Sequence, residues 1–243
     1  MQQLQPITEY YDELYPVTSD HLEFYKQILK DYPAPQKVLN IGIGTGSFEF
    51  SLSKAGYDVT GLEVIQCLLE SALLKRRNQL LSLRFFKLSS TEMTKFLGHG
   101  FFNVISCLNN KIVFFKTKTL VQNFFSDSYK LLSPNGTLIL HLYNHENCIN
   151  AKTFSLPVKS SLRIQLFSQI QNISGISYLT QYLKKDTGHP TTIIQDEQIF
   201  PLTQNQIKDF AASAGFKSVE LFADCQWSPL TADSKEIFAI IKK

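Results

Sequence analysis

The chain has 243 residues, of which 44% are hydrophobic and 19% charged, and 24 basic against 21 acidic side chains leave a net charge of +3. This composition excludes a disordered chain, and the near balance of charge gives no reason to expect nucleic acid or a membrane surface as the partner. The sequence holds no run of about 18 apolar residues, so we expect no membrane span. Its polar, acidic beginning lacks the basic and apolar parts of a signal peptide, and we therefore expect a cytoplasmic protein.

Four cysteines stand far apart in the sequence, at Cys67, Cys107, Cys148 and Cys225. Their spacing, together with that of the histidines, does not match a zinc site, so we expect no metal. In a reducing cytoplasm these cysteines are expected to be free thiols.

The first predicted element is a helix from His21 to Tyr32, with Asp20 as its N-cap and Glu23 at the capping-box position. From Lys37 onward strands and helices alternate. Predicted strands cover residues 37–41, 57–63, 83–88, 101–108 and 136–143, and predicted helices cover 47–55, 67–80 and 117–132, the last one ended by SPNG. This alternation predicts a mostly parallel sheet with helices on both faces, in which the ends of the first and fourth strands lie close together.

The pattern changes after the fifth strand. Residues 161–171, 176–184 and 191–200 alternate apolar and polar side chains and are separated by turn sequences, which predicts three antiparallel strands. They form either a lid over the carboxyl end of the parallel sheet or a passive extension of it. A helix capped by Thr203 and Gln206 and ended by Gly215 follows, and then two more strands.

These elements predict an α/β fold with a Rossmann-like, mostly parallel seven-stranded sheet and a small antiparallel β insertion. We divide the chain into N-terminal helices and a cofactor-binding α/β core (1–150), the insertion (151–202) and the C-terminal part of the core (203–243).

Three glycines, Gly42, Gly44 and Gly46, directly follow the first buried strand. Glycine allows positive φ and removes the Cβ that would block a ligand, although the same residues could simply form a tight turn. Ser47 stands where a dinucleotide fingerprint has its last glycine, which disfavours a pyrophosphate and hence a dehydrogenase. Glu63 ends the second strand, where a carboxylate can accept both hydroxyls of a ribose, unless it is merely solvated. A ribose nucleoside without pyrophosphate indicates S-adenosylmethionine.

The stretch VLNIGIGTGSFEFSLSKAGYDVTGLE resembles motif I and the following acidic position of class I S-adenosylmethionine-dependent methyltransferases. YYDELYP, FFNVISCLNN, LLSPNGTLILHLYN and FPLTQNQIKDFAASAGFKSVELF resemble further motifs of the glycine/sarcosine N-methyltransferase-like members, in the same order. The resemblance implies methyl transfer to a small-molecule acceptor, with S-adenosylhomocysteine as the product. A homodimer is compatible with it.

Individual residues carry this resemblance. It assigns Asn40, Gly42, Gly44, Gly46, Glu63, Glu92, Met93, Cys107 and Leu108 to the cofactor, and Tyr11, Asn110 and Asn144 to the substrate or the amino acid part of the cofactor. No catalytic residue is identified, and His145 and Tyr15 are the candidates. Ordinary core packing is the alternative for Met93, and structural roles are the alternative for Tyr11, Tyr15 and His145.

The chain also departs from these motifs. Asn40 replaces an aspartate whose charge would face the ammonium group of the cofactor, while Ile65 and Asn109 replace a serine and a glycine. These changes motivate a second hypothesis, a non-catalytic methyltransferase fold that binds the nucleoside or a partner protein. We expect Asn40→Asp to tighten cofactor binding unless Asn40 donates a hydrogen bond. A nucleic-acid methyltransferase is a third hypothesis, supported only by the basic run from Lys75 to Arg77.

Overall fold

The computed structural model describes residues 4–76, 82–146, 149–185 and 188–243. The strands are β1 (Lys37–Ile41), β2 (Asp58–Leu62), β3 (Leu83–Phe86), β4 (Phe102–Cys107), β5 (Leu132–Tyr143), β6 (Thr153–Ser155), β7 (Lys159–Ser160), β8 (Ile164–Ile173), β9 (Ile176–Lys185), β10 (Thr191–Ile199), β11 (Ser218–Phe222) and β12 (Glu236–Lys242). The α-helices are α1 (Gln5–Thr8), α2 (Tyr11–Leu14), α3 (Ser19–Leu29), α4 (Ser47–Lys54), α5 (Gln66–Lys75), α6 (Met93–Phe96), α7 (Lys118–Leu131) and α8 (Gln204–Ala214), and 3-10 turns cover Ser90–Glu92 and Lys111–Phe115.

The main sheet has seven strands in the order β11-β12-β5-β4-β1-β2-β3. Strands β1 to β5 run parallel to one another, and β12 runs antiparallel to both β5 and β11. This confirms the predicted sheet, including the contact between the first and fourth strands. Ligands of such sheets bind where the strand order reverses, here at the carboxyl ends of β1 and β4.

Two hydrophobic clusters cover the two faces of this sheet. Ile105 of β4 packs in one cluster with Phe124 of α7 and Phe210 of α8. Val104, the preceding residue of the same strand, packs in the other cluster with Phe24 of α3. Because successive residues of a strand point to opposite faces, this arrangement confirms helices on both faces.

Two local predictions are wrong. Helix α3 begins at Ser19, and its N-cap is Thr18, whose hydroxyl accepts a hydrogen bond from the backbone of His21. Asp20 therefore lies inside the first turn, and Glu23 forms an ion pair with Lys26 at 3.2 Å instead of a capping box.

The second correction concerns the sequence SPNG. It lies inside β5, which begins directly after α7. The register shifts between the pairs Phe102–Leu132 and Val104–Thr137, and Asn135 has a φ of +59°. The turn sequence thus forms a bulge in the strand, because a positive φ re-aims the chain without ending its pairing.

A second sheet has the order β10-β9-β8-β6, with the short β7 also paired to β8. Strands β8, β9 and β10 are the three predicted antiparallel strands, and β6 and β7 add short segments. One face of this sheet is buried, through residues such as Leu166, Leu179 and Ile194. That face lies over the carboxyl ends of the main sheet, since residues from both line one cavity.

Some predictions lie outside the described residues, namely Cys148, Arg77 and the end of the helix predicted to reach Leu80. Cys67, Cys107 and Cys225 are free thiols. Among the helices in the described ranges, none is long and apolar enough to cross a membrane.

Candidate functional site

The turn between β1 and α4 places three glycines in the left-handed region of φ. Gly42, Gly44 and Gly46 have φ values of +74°, +62° and +71°. The backbone amides of Gly42 and Ile43 both donate to the carbonyl of Leu62 on β2, at 2.7 and 3.2 Å. A Cβ on Gly44 would lie 2.2 Å from Cζ of Tyr11, so no other residue fits there with the ring in this position. Conformation and space both require glycine in this turn.

Glu63 follows β2 directly and is only 3% exposed. Its Oε2 accepts from the backbone amide of Gly44 at 2.8 Å, and its Oε1 accepts from the amides of Val64 and Ile65 at 2.9 and 3.0 Å. Three backbone donors therefore fix the carboxylate against the glycine turn. This excludes a solvated strand end as the reason for a glutamate at this position.

A cavity of about 440 Å³ opens beside this turn. The main sheet and the segments after its strands contribute Gly42, Glu63, Cys107 and Asn110, the N-terminal helices contribute Tyr11 and Tyr15, and the second sheet contributes Leu166, Leu179, Gln181 and Ile194. Its walls are mostly apolar with a few polar groups, as is usual for a small-molecule site. The second sheet thus forms a wall of the candidate site.

A smaller cavity of about 60 Å³ adjoins it and shares Tyr11, Tyr15 and Gly42 with it. Asn40 and Glu49 line this cavity. The side-chain amide of Asn40 donates to Oε1 of Glu49 at 2.8 Å, and its oxygen accepts from the hydroxyl of Ser106. Burial raises the pKa of Glu49 to about 7, against the opposing effect of the hydrogen bond from Asn40.

Two lysines project into the cavities. Nζ of Lys111 donates to the carbonyl of Gly42 and lies 5.2 Å from the centre of the Tyr11 ring. Nζ of Lys159 lies 5.0 Å from the centre of the Tyr15 ring, and burial lowers the pKa of this lysine. Sequence reasoning assigned none of Glu49, Lys111 and Lys159 to the site, because spacing does not show which way a loop or helix residue points.

Most of the residues predicted for the site do line these cavities. They are Tyr11, Tyr15, Asn40, Gly42, Glu63, Cys107, Leu108 and Asn110. Gly44 and Gly46 lie beneath side chains instead, Gly44 under Tyr11 and Gly46 against Phe85. The turn acts through its backbone at these two positions.

Glu92 and Met93 lie elsewhere. Glu92 is exposed and forms an ion pair with Lys95 at 3.7 Å. Met93 is fully buried in the cluster around α7, which agrees with the core-packing alternative. The residues just before them, Ser89 to Thr91, line the larger cavity. Adenine recognition through the Glu92 side chain would require this carboxylate to leave its exposed position.

Asn144 and His145 also point away from the two cavities. The amide of Asn144 donates to the carbonyl of Ser234 at 3.0 Å, and its oxygen accepts from the backbone of Glu146 at 3.3 Å, which ties the end of β5 to the segment before β12. His145 is fully buried, and burial lowers its pKa to about 4. Neither residue is among those that line the two cavities.

The site can be compared with known proteins. Residues 38–136 match the family model of the methyltransferase domain. The glycine/sarcosine N-methyltransferase of Parasynechococcus marenigrum (strain WH8102) is 23% identical over 209 residues, which cover 84% of this chain and 71% of that enzyme.

Solved structures extend the comparison to the whole fold. The CcbJ methyltransferase from Streptomyces caelestis has a TM-score of 0.78 at 16% identity, covering 97% of this chain and 95% of that one. CalS10 from Micromonospora echinaspora, an amino pentose methyltransferase solved with S-adenosylmethionine bound, has a TM-score of 0.69 at 16% identity, covering 98% and 97%. Residues 38–136 are therefore similar to the methyltransferase domain, and the chain as a whole has the fold of these S-adenosylmethionine-dependent methyltransferases. S-adenosylmethionine is the cofactor that this domain and fold imply.

Proposed function

We propose that the protein transfers a methyl group from S-adenosylmethionine to a small-molecule acceptor bound in the 440 Å³ cavity. One observation carries this proposal, namely the buried carboxylate of Glu63 held 2.8 Å from the backbone amide of Gly44 in a turn of positive-φ glycines. A turn without Cβ atoms next to a fixed acceptor suits a nucleoside that lacks a pyrophosphate.

The residues present fit the cofactor. The glycine turn would lie under its amino acid part, and Glu63 would accept from a ribose hydroxyl. Cys107 and Leu108, at the end of β4, would border the reacting centre, and Ser89 to Thr91 would border the base. When bound, the cofactor supplies an activated methyl group on a sulfonium, so the chain has to align the acceptor and exclude water.

Enclosure supports a small acceptor. The second sheet and the N-terminal helices cover the cavity from two sides, and a macromolecular acceptor would need an open face. Polar groups at the acceptor end are Tyr143, Lys159, Ser168 and Gln181. CalS10 acts on an amino pentose, and an amine that enters in its neutral form needs no base before it attacks. An amine acceptor is therefore our choice within the small-molecule class.

Neither catalytic candidate enters this mechanism as a base. His145 lies outside the two cavities described above. Tyr15 lines both cavities, but burial raises its pKa well above neutrality, so its hydroxyl stays protonated and can only donate or orient. Alignment of the acceptor in an enclosed space is the remaining contribution of the chain.

The non-catalytic alternative is not favoured. At Ile65 the side chain differs from the family, but the backbone amide still donates to Glu63. At Asn109 the backbone amide donates to Nδ1 of His141 at 3.3 Å, with a φ of +57° that asparagine tolerates. At two of the three departures the backbone amide therefore still makes a defined hydrogen bond.

Binding and turnover test the proposal. Calorimetry with S-adenosylmethionine, S-adenosylhomocysteine and NAD should show binding of the first two ligands and not of NAD. Incubation with labelled S-adenosylmethionine and a panel of amino sugars and small amines should then yield labelled product. Binding of NAD alone would contradict the cofactor, and cofactor binding without turnover of any acceptor would favour the non-catalytic fold.

A further inference from the structure

Glu49 is a buried carboxylate, and one of its two oxygens lacks a hydrogen-bond donor among the described residues. It is 3% exposed and lies on α4, the helix that follows the glycine turn. Oε1 accepts from the amide of Asn40, whereas Oε2 has no hydrogen-bond partner in the described part of the chain. A buried oxygen without a donor costs free energy. A ligand that donates to Oε2 would recover that cost.

The space next to Glu49 is the 60 Å³ cavity beside Gly42. The charged groups that act on its carboxylate are Lys111, from the turn after β4, and Glu63, from the end of β2. Tyr11 of α2 and Tyr25 of α3 also interact with it. Asp12, Tyr15, His21 and His141 complete the titratable groups that line the cavity. A cation that displaces Nζ of Lys111 from the carbonyl of Gly42 would therefore meet the free oxygen of Glu49.

The family places a carboxylate for the ammonium group of the cofactor at residue 40, and in this chain Glu49, which accepts from Asn40, supplies a carboxylate beside that residue. The resemblance calls for an aspartate at residue 40, facing the ammonium group of the cofactor. This chain has the neutral Asn40 on β1, and a carboxylate 2.8 Å from its amide. We infer that Glu49 binds the ammonium group of S-adenosylmethionine, so that the negative charge has moved from the strand to the helix. This inference rests on the proposed function.

The amide of Asn40 then has a defined role as a positioning residue. It donates to Oε1 and so leaves Oε2 available to a ligand in the cavity that Glu49 lines, while its own oxygen accepts from Ser106. An aspartate at residue 40 could not donate, and it would place two carboxylates side by side, which cannot both ionise in a buried site. Asn40→Asp alone should therefore fail to tighten cofactor binding, which is the exception expected from the sequence for an Asn40 that donates a hydrogen bond.

Two ligands separate this role from a structural one. S-adenosylhomocysteine carries the ammonium group, and 5'-methylthioadenosine lacks the amino acid part. Calorimetry should show that Glu49→Gln lowers the affinity for S-adenosylhomocysteine by about tenfold, a factor equal to about 1.4 kcal/mol. The affinity for 5'-methylthioadenosine should stay within about twofold of the wild type. The double variant Asn40→Asp with Glu49→Gln exchanges the two functional groups and should recover S-adenosylhomocysteine affinity to within about threefold.

Proton release gives a second readout. A carboxyl group that is partly protonated near neutral pH becomes ionised when a cation binds beside it. Binding of S-adenosylhomocysteine at pH 7, measured in buffers of different ionisation enthalpy, should release a fraction of a proton in the wild type. That release should disappear in Glu49→Gln, and 5'-methylthioadenosine should cause none in either protein.

Three outcomes would overturn the inference. They are unchanged S-adenosylhomocysteine affinity in Glu49→Gln, equal losses for both ligands, and proton release that persists in the variant. If Glu49→Gln does not fold, the ligand affinities of the double variant are compared with those of Asn40→Asp instead. The double variant restores a buried donor–acceptor pair. A wild type that binds 5'-methylthioadenosine and S-adenosylhomocysteine keeps the proposed function even when Glu49 fails these tests. A wild type that binds neither ligand contradicts both.

Discussion

Glu63 accepts hydrogen bonds from three backbone amides before any ligand is present. Two carboxylate oxygens offer about four acceptor sites, and these amides use three of them, so one site remains for a ribose hydroxyl. We expect Glu63→Ala to weaken S-adenosylhomocysteine binding by about 1.5–3 kcal/mol, because a charge-assisted hydrogen bond is lost. Calorimetry with adenosine and with free adenine checks the cause, since only the nucleoside should lose affinity.

Glu92→Ala provides the comparison for that experiment. Its carboxylate is exposed and paired with Lys95, so we expect S-adenosylhomocysteine affinity to stay within about twofold of the wild type. A loss as large as that of Glu63→Ala would instead restore the role that the family resemblance gave to Glu92. Wild-type affinity in Glu63→Ala would mean that its bonds serve only the turn.

Single residues show where sequence reasoning stops. Gly42, Gly44 and Glu63 were predictable because strand ends in a parallel sheet meet at one edge, and the glycine spacing marks the first of them. Asn144 also follows a strand, but its amide pairs with Ser234, 90 residues further on, which spacing does not reveal. Glu49 was missed because a carboxylate within a helix usually indicates the solvated face.

Helix ends show the same limit at the scale of elements. Thr203 and Gln206 form the complete capping box predicted for α8, since both partners lie within four consecutive residues. At α3 two adjacent positions offered caps, and Thr18 forms the bond while Asp20 does not. Local chemistry identifies a cap, but the direction in which the chain enters the helix decides between neighbouring candidates.

The capping box of α8 contributes a measurable amount to the free energy of unfolding. Thr203→Ala should lower the free energy of unfolding by about 1 kcal/mol, because one backbone donor of the first turn loses its acceptor. Denaturant unfolding measures this change. Lys208→Ala, an exposed position within the same helix, is the matched control and should stay within about 0.5 kcal/mol of the wild type. Equal effects of the two substitutions would contradict the role of the cap.

The insertion was predicted as three strands, and the structure has three long strands and two short ones. Strands β8 and β9 each have ten residues, long enough for alternation to be visible. Strands β6 and β7 have three and two residues, too few to show a period of two. Short strands form because β8 offers an edge for pairing, which is a tertiary property.

The stability of the whole molecule should depend on the ionisation of Glu49. Its pKa is about 7 in the fold and near 4.5 in the unfolded chain, so the folded protein binds the proton more tightly. The stability that results is fully present below pH 4.5 and is lost as the pH rises through 7, a change of about 3 kcal/mol. His145, with a pKa lowered to about 4, acts in the opposite direction, and its contribution to the stability of the fold is lost as the pH falls from 6.5.

Comparison with Glu49→Gln isolates this dependence, because His145 contributes equally to both proteins. Denaturant unfolding at pH 5 and pH 8 should show that the variant gains about 2–3 kcal/mol relative to the wild type between the two conditions, because part of the effect is already lost at pH 5. Parallel pH profiles would mean that Glu49 is ionised in the fold throughout this range.

The position of β12 has a consequence for how the chain is made. Tyr143 of β5 pairs with Glu236 of β12, so about 90 residues must be synthesised before β5 gains its second neighbour. At a translation rate of about 5–20 residues per second, the edge of β5 that later pairs with β12 stays unpaired for roughly 5–20 s on the ribosome. The insertion and α8 emerge during that interval. Wrong strand pairing is therefore a hazard of the nascent chain, and it ends when β12 closes the sheet.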